Sequence, residues 1–378
     1  MKLIKEAENG PGSLDRLLLR CCLTSDFKEF SDLSTIWELR IDIDQISYAS
    51  LRLIPMYYGQ LVRFGLDSRY IKRIKTIYKF WWLKTRFLLD QLSIISKSLH
   101  DANVESIVLK GGSICHYYEK PEYRPMSDID LLIRFDDIPR AVSCLESAGF
   151  GYDKKRYRLM RKMPLWCKRY SHFIEFHKDD LDVLLDLHWS AGGSFTSNTA
   201  KALIRTSVPS KVLPSLKIPL ISYEIMLVIL HGVLSRSHDN LNWILDIQFL
   251  NKRATKEDWI KAYEAAKAEQ KADHFLLGIR QLREFNLDIP GFPDKSSYIT
   301  PRRRVVRAKS TEESIFQWAR RMISNGWIRV NDLYPNHPLA TRTFHFIQYM
   351  CFEALQSLVI NSDPKKIDNK IELSPEIG

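Results

Sequence analysis

Residues 104–133 read VESIVLKGGSICHYYEKPEYRPMSDIDLLI, and the fold prediction for the middle of the chain starts from this stretch. Residues 104–109 form a short apolar run, which is typical of a buried strand. Gly111-Gly112-Ser113 follow it, and residues 114–119 have the spacing of a short helix. A second strand, with acidic residues at its start, is predicted over 129–135. Strand, turn, helix and strand at this spacing indicate a small α/β sheet unit.

The sequence that follows continues this sheet. Residues 138–148 have helical spacing, and Gly149 stands where a helix commonly ends on glycine. Residues 172–177 alternate between apolar and polar side chains as a strand does, and 181–189 predict another strand. We therefore expect a mixed-sheet core over residues 101–192.

Helical periodicity dominates both flanks of this core. Apolar residues recur at steps of three and four over residues 71–99, which predicts one long helix. Further helices are predicted over 221–234, 241–250, 259–284, 313–324 and 341–360. The expected fold class is α+β, a small mixed-sheet core flanked by mainly α-helical regions. The expected divisions are an N-terminal helical region (1–100), the α/β core (101–192), a helical domain (193–298) and a helical C-terminal extension (299–378) with a disordered tail from residue 362.

The composition is that of an ordinary soluble protein, with 378 residues of which 45% are hydrophobic and 27% charged. No run of about 18 apolar residues occurs, so no membrane-spanning helix is expected. Residues 1–12 lack the apolar centre of a signal peptide. The 6 cysteines form no CxxC pair, which argues against a zinc ribbon or a disulfide scaffold. We expect a cytoplasmic protein.

The chain carries a net charge of +11, which favours polyanionic partners such as nucleotide phosphates or RNA. Part of this excess is local, because residues 154–169 contain eight basic side chains and no acidic one. They are Lys154, Lys155, Arg156, Arg158, Arg161, Lys162, Lys168 and Arg169. This basic stretch has two interpretations, a solvated helix or loop and a surface that binds RNA.

The Gly111-Gly112-Ser113 turn is a candidate phosphate site. Glycines let the backbone approach a ligand closely, and the N–H groups at a helix start attract phosphate. Ser113 adds a hydroxyl donor, and Lys110 adds a positive charge. The alternative is a tight strand-to-helix turn that needs glycines for packing alone. The turn matches neither GxGxxG nor GxxxxGK[ST].

Three acidic residues are candidate metal ligands. Asp128 and Asp130 are two apart on a predicted strand, so they project from the same face with Cα atoms about 6.5 Å apart, close enough to share Mg²⁺ ions. Two solvated strand-end acids are the alternative. Asp186 stands between leucines on a predicted buried strand and needs a partner such as a metal ion. Asp182 and His188 share its strand parity, and Asp182 is the rival third carboxylate.

Together these motifs resemble the bacterial family usually called "uncharacterised nucleotidyltransferase", within the DNA polymerase β-like nucleotidyltransferase superfamily. The residues that carry the resemblance are Leu109-Lys110-Gly111-Gly112, Tyr118, Arg124, Ser127-Asp128-Ile129-Asp130-Leu131-Leu132-Ile133 and Asp186-Leu187-His188-Trp189. Residues 43–66 and Trp243-Ile244-Leu245-Asp246-Ile247 are also similar to helices of that family, so the resemblance reaches to about residue 290.

The resemblance implies that a nucleoside monophosphate moves from an NTP, such as ATP, to an acceptor hydroxyl with release of pyrophosphate. Asp128 and Asp130 would hold two Mg²⁺ ions, with Asp186 on the ion that activates the acceptor. Gly111, Gly112 and Ser113 would contact the β- and γ-phosphates. Lys110 and Arg124 are further candidates for nucleotide binding, or else form ordinary salt bridges.

The acceptor is open at this point. A small molecule, a peptide or a protein is expected first, and the basic stretch at 154–169 makes a toxin-like enzyme that modifies tRNA ends the alternative. A non-catalytic nucleotide-binding scaffold on the same fold is the other class. Three converging carboxylates argue against a scaffold, since nothing in a scaffold requires them.

Overall fold

The computed structural model describes residues 12–192, 195–210, 216–234, 241–292, 330 and 338–361. The fold is α+β, a mixed seven-stranded sheet with helical flanks, as predicted. The predicted helix at 313–324 and the predicted disordered tail from 362 lie outside the described residues. Within the described ranges, none of the helices combines the length and the apolar character that crossing a membrane requires.

Among the described residues, four helices come first, the sheet with its own helices follows, and a second helical group comes last. The first helices are α1 (Ser13–Leu23), α2 (Phe27–Arg40), α3 (Tyr48–Phe64) and α4 (Ile71–Asp101). The next elements are β1 (Ser106–Val108), α5 (Lys110–Ile114), β2 (Ile129–Ile133), α6 (Ile138–Ser147), β3 (Gly151–Tyr152), α7 (Lys154–Lys162), α8 (Pro164–Tyr170), β4 (Phe173–Lys178) and β5 (Val183–His188). The rest are α9 (Ser197–Thr206), β6 (Val208–Pro209), β7 (Lys217–Ile218), α10 (Ile221–Leu234), α11 (Asn242–Asn251), α12 (Lys256–Ala268), α13 (Ala272–Arg283) and α14 (Leu339–Asn361).

The strand order is β3-β4-β5-β2-β1-β7-β6, which places β2 and β5 side by side near the centre. These two strands are parallel, whereas β1 and β4 are antiparallel to their central neighbours. The short strands β6 and β7 extend the sheet past residue 192, where the sequence predicts helices only. Each has 2 residues, too few for an alternating pattern to be recognised. The proposed domain boundaries remain predictions.

The long helix α4 confirms the periodic pattern of residues 71–99, since it runs for 31 residues. Ile74 packs with the N-terminal helices, whereas Leu88, Leu92 and Leu99 pack in the core behind the sheet. One continuous apolar stripe therefore serves two hydrophobic cores. The helix ties the N-terminal region to the sheet.

The predicted helix at 259–284 is wrong, because the chain forms two helices, α12 and α13, over this range. Gln270 takes a left-handed conformation with φ +58°. The N–H of Lys271 donates to the carbonyl of Ala266 (2.8 Å), and the N–H of Gln270 donates to that of Lys267 (2.9 Å), which is the Schellman pattern of a helix end. The sequence hides this end because Gln270 stands where glycine is usual. Both helices pack against α10.

The two faces of the sheet lie in different environments. Leu131 and Ile133 on β2 belong to the core behind the sheet, which α4 and α6 cover. Leu132 belongs to the second core, which the N-terminal helices share with α10–α13. Because side chains alternate along a strand, the acidic residues at the start of β2 lie on the same face as Leu132. The candidate site therefore faces the helical regions.

Candidate active site

The pairing of β2 with β5 brings two of the predicted carboxylates together. Asp130 and Asp186 are direct partners in the parallel register. Carboxylate oxygens of Asp130 and Asp186 and a ring nitrogen of His188 lie within 4.8 Å of one another. Asp128 precedes β2 by one residue and lines the same cleft as Asp130. The sequence parity of Asp128 and Asp130 predicts this shared side.

Asp182, the rival third carboxylate, lies elsewhere. It has φ +49° in the turn that joins β4 to β5, and its side chain is 88% exposed. Its carboxylate pairs with Lys84 at 3.2 Å. Four residues of extended strand separate it from Asp186, a distance of about 13 Å. The structure therefore places Asp186, and not Asp182, beside Asp130.

Asp130 is a buried carboxylate with two hydrogen-bond partners. Lys110 Nζ contacts its Oδ1 at 2.5 Å, and His188 Nε2 contacts the same oxygen at 2.8 Å. Because an ionised carboxylate only accepts, the histidine Nε2 is the donor. Burial alone would raise the pKa of Asp130, but the charge of Lys110 and the bond from His188 outweigh it, so this pKa lies well below its usual range. His188 thus orients Asp130.

The neighbouring carboxylates have raised pKa values. Burial, and next the negative charge of Asp130, raise the pKa of Asp186 to about 7. The same two causes raise the pKa of Asp128. Adjacent acids that destabilise each other's charge in this way fit a site for a divalent cation, and an all-oxygen carboxylate set suits Mg²⁺. The residues present therefore fit the predicted metal.

The glycine-serine turn differs from the predicted helix at 114–119. Helix α5 begins earlier, at Lys110, and a single 3-10 turn over Cys115–Tyr117 follows its end at Ile114. Gly111, Gly112 and Ser113 therefore lie inside the helix rather than ahead of it. Lys110 has φ +50°, which costs a non-glycine residue on the order of 1 kcal/mol, while its ammonium contacts Asp130.

Both glycines of α5 are closely packed, Gly112 more tightly than Gly111. A Cβ added to Gly112 would lie 2.6 Å from Val108 Cγ1, and one added to Gly111 would lie 3.1 Å from Met126 Cγ. Such distances leave no room for a methyl group without movement of the neighbouring strand or loop. The packing alternative accounts for these glycines, and phosphate binding by Gly111 and Gly112 remains a prediction.

Ser113 is fully buried, and its hydroxyl donates a hydrogen bond to Oε1 of Glu224 on α10. Glu224 is itself only 1% exposed. Burial raises the pKa of Glu224 to about 8, although the bond from Ser113 acts in the opposite direction. This contact joins α5 to α10. A phosphate contact by Ser113 remains a prediction, since the hydroxyl has a protein partner here.

We expect Glu224→Gln to weaken the dependence of stability on pH. The folded chain keeps this proton up to a pH of about 8, whereas an unfolded glutamate loses it near 4.5. Between these values the folded state binds more protons, so the wild-type free energy of unfolding falls as pH rises, by up to about 1.4 kcal/mol per pH unit. Urea unfolding of the wild type and of Glu224→Gln between about pH 5 and about pH 9 measures how the free energy of unfolding changes with pH. The exposed Glu264→Gln is the control, and parallel curves for wild type and Glu224→Gln would contradict the expectation.

Arg124 forms a buried ion pair with Asp246 on α11. Its Nε and Nη2 donate to the two carboxylate oxygens at 2.7 and 3.0 Å, and the hydroxyl of Tyr118 donates to Oδ1 at 2.6 Å. The salt-bridge alternative for Arg124 is therefore present in the structure. Asp246 lies in the helical segment that carries the family resemblance, but sequence reasoning assigned it no role.

A cleft of about 560 Å³ separates the acidic strands from the helical regions. This volume lies in the range of small-molecule sites. The sheet side contributes Lys110, Asp128, Asp130 and His188, and the helical side contributes Glu224, His231, Trp243 and Asp246. Arg52 and Tyr48 of α3 also line it. Sequence reasoning missed Arg52 and Tyr48, because they precede the motif by about sixty residues and only the tertiary fold brings them close.

A mixed sheet with opposed carboxylates on neighbouring parallel strands, above a glycine-containing helix start, is the arrangement of the nucleotidyltransferase class. A family model described as "Uncharacterised nucleotidyltransferase" matches residues 48–285, and the chain belongs to this family. Family membership supports nucleotidyl transfer as the general chemistry. No curated protein matches the chain.

Proposed function

We propose that this protein transfers a nucleoside monophosphate from an NTP to a hydroxyl group of an acceptor, with Mg²⁺ bound and pyrophosphate released. The observation that carries this proposal is the in-register pair of Asp130 and Asp186, with Asp128 and Asp130 both in the lining of the cleft. The acceptor class that we favour is a small molecule, a peptide or a protein. The size of the cleft accommodates a nucleotide.

In the proposed reaction the acceptor hydroxyl gives its proton to solvent water, and its oxygen forms a bond to the α-phosphorus while the bond from that phosphorus to the bridging oxygen breaks. Asp128, Asp130 and Asp186 would hold two Mg²⁺ ions, which supply Lewis-acid stabilisation to the attacking and leaving oxygens. His188 keeps Asp130 oriented, and Lys110 lies beside the same carboxylate. Pyrophosphate carries away the electron pair of the broken bond.

The test is label transfer from each of the four NTPs, labelled at either the α- or the γ-phosphate and incubated with Mg²⁺ and a cell extract. We expect one α-labelled nucleotide to mark an acceptor, while its γ-label appears in pyrophosphate. The Asp128→Ala/Asp130→Ala double variant is the negative control, in which we expect no transfer. Undiminished turnover in that variant would refute the proposal, and binding of Mg²⁺–nucleotide without any transfer would favour the scaffold alternative.

A second candidate acceptor is the end of an RNA. Helices α7 and α8 carry the basic stretch of residues 154–169, and Arg158, Arg161 and Lys162 are exposed there. Arg156 of α7 lies over the Phe173 ring at 5.7 Å, the Phe173 ring lies 5.4 Å from that of His188, and His188 bonds Asp130, so a chain of side-chain contacts connects α7 with this carboxylate. Phosphate contacts would make tRNA binding fall steeply with added salt. Absent or salt-insensitive tRNA binding would leave the other acceptors.

A further inference from the structure

The cleft lining includes a positively charged side chain, Arg52 of α3, which no carboxylate of the described residues contacts. The other cations in its lining are paired, since Lys110 contacts Asp130 and Arg124 contacts Asp246. Over the described part of the chain, Arg52 forms no ion pair with a carboxylate, and its buried Nε has no hydrogen-bond partner.

Neutral groups hold the Arg52 guanidinium in place. Nη2 donates to the carbonyl of Pro125 at 3.1 Å, and Nη1 donates to the hydroxyl of Tyr48 at 3.2 Å. The guanidinium carbon lies 5.8 Å from the ring centroid of Trp81 and 5.7 Å from that of Tyr48. A guanidinium offers five N–H donors; one on Nη1 and one on Nη2 make these bonds and the Nε donor is buried, so one donor on each terminal nitrogen remains for a ligand. The group is thus fixed in position before any ligand binds.

Arg52 also lies close to the predicted metal ligands. Its guanidinium donates a hydrogen bond to the carbonyl of Pro125, and Asp128 follows Pro125 by three residues in the sequence. Arg52 is among the cations that act against the burial-driven rise of the pKa of Asp128. A partly buried guanidinium that no carboxylate contacts directly is costly in the free protein, and an anion that binds it recovers part of that cost.

We propose that Arg52 binds the triphosphate of the nucleotide, through a guanidinium that α3 presents from outside the sheet core. The inference rests on the proposed function and adds the side chain that recognises the phosphates. The geometry is that of a planar fork held by aromatic rings, which suits the bidentate recognition of phosphate oxygens. Lys110 and Arg124 are less suited to this role in the observed arrangement, because aspartates already engage them.

The test is binding of inorganic tripolyphosphate with Mg²⁺ by calorimetry, beside steady-state kinetics with the NTP that proves active. For Arg52→Gln we expect tripolyphosphate affinity to fall about 10- to 100-fold, with a matching rise in KM for the NTP and a kcat within about threefold. Affinity for the free nucleoside should stay unchanged. The control is Arg63→Gln, an exposed arginine of the same helix that does not line the cleft, and it should behave as wild type.

The Arg52→Lys variant distinguishes phosphate binding by Arg52 from a purely structural role, in which Arg52 only holds the loop at Pro125 in place. Lysine keeps the charge and loses the fork, so we expect an intermediate loss of about 3- to 10-fold in tripolyphosphate affinity. Unchanged tripolyphosphate affinity in either variant would overturn the proposal. A decrease in kcat alone, equal in both variants, would also overturn it. A rise in KM for the acceptor alone would overturn it too, because the anion that Arg52 binds would then belong to the acceptor. Thermal unfolding checks folding, and Arg52→Lys decides alone if Arg52→Gln does not fold.

These outcomes distinguish the inference from the proposed function. Tripolyphosphate binding requires no transfer, so it tests Arg52 even if no label moves from any NTP. Conversely, wild-type transfer with an unaffected Arg52→Gln variant would leave the proposed function standing and remove Arg52 from it.

Discussion

Asp186→Asn should lower the rate of nucleotidyl transfer about a thousandfold, whereas Asp182→Asn should leave it within about twofold. Asparagine keeps the size of the side chain and removes the negative charge that a metal ligand requires. Asp186 faces Asp130 across the central strand pair, and Asp182 pairs with Lys84 in an exposed turn. The initial rate of pyrophosphate release, measured over a series of Mg²⁺ concentrations, checks both variants.

The two substitutions form a matched pair, because both replace aspartate by asparagine and the two positions are only four residues apart in the sequence. Asp186→Asn should also unfold at the same temperature as the wild type or higher, because it removes a charge that Asp130 repels. A large loss of activity through unfolding would therefore not be expected. Equal activity in the two variants, or a greater loss in Asp182→Asn, would contradict the assignment of Asp186.

Most of the site prediction rests on the alternation of side chains along the strands. The turn before β5 is the feature that this alternation does not predict. The alternation of β2 predicts that Asp128 and Asp130 share a side, and both side chains line the same cleft. The alternation of side chains does not show which of Asp182 and Asp186 is the third carboxylate, because the two residues are four apart and would lie on the same side of a strand. The deciding feature is the 3-10 turn over Asp179–Leu181, after which Asp182 adopts a left-handed conformation before β5 begins. An aspartate in such a turn has no sequence signal distinct from one that opens a strand.

Long helices and the central strands could be predicted because their periodic patterns extend over several residues. The break at Gln270 could not, since hydrogen bonds close the helix end without the expected glycine. Gly112 illustrates a further limit, because a sequence does not distinguish a glycine that admits a ligand from one that admits Val108. Arg52 has no local motif at all. Its place in the cleft follows only from the packing of α3 against the sheet core.

Asp246→Ala should lower the free energy of unfolding by about 3–5 kcal/mol, because it leaves a buried guanidinium without its counter-charge. The side chains of Arg124 and Asp246 are only 11% and 3% exposed, and Tyr118 donates to the same carboxylate. Urea unfolding measures the change. The exposed pair of Lys261 and Glu257 provides the control, since Lys261→Ala should leave the unfolding curve unchanged within error.

The double variant Arg124→Met/Asp246→Leu should regain part of this loss, because apolar side chains replace the buried ion pair, although the buried Tyr118 hydroxyl loses its acceptor. It also separates the two roles considered for Arg124. If Arg124 serves only to join its loop to α11, the restored stability should restore nucleotidyl transfer as well. If Arg124 also contacts the nucleotide, the double variant should fold stably and still show a raised KM for the NTP. A double variant as unstable as Asp246→Ala would contradict the ion-pair account itself.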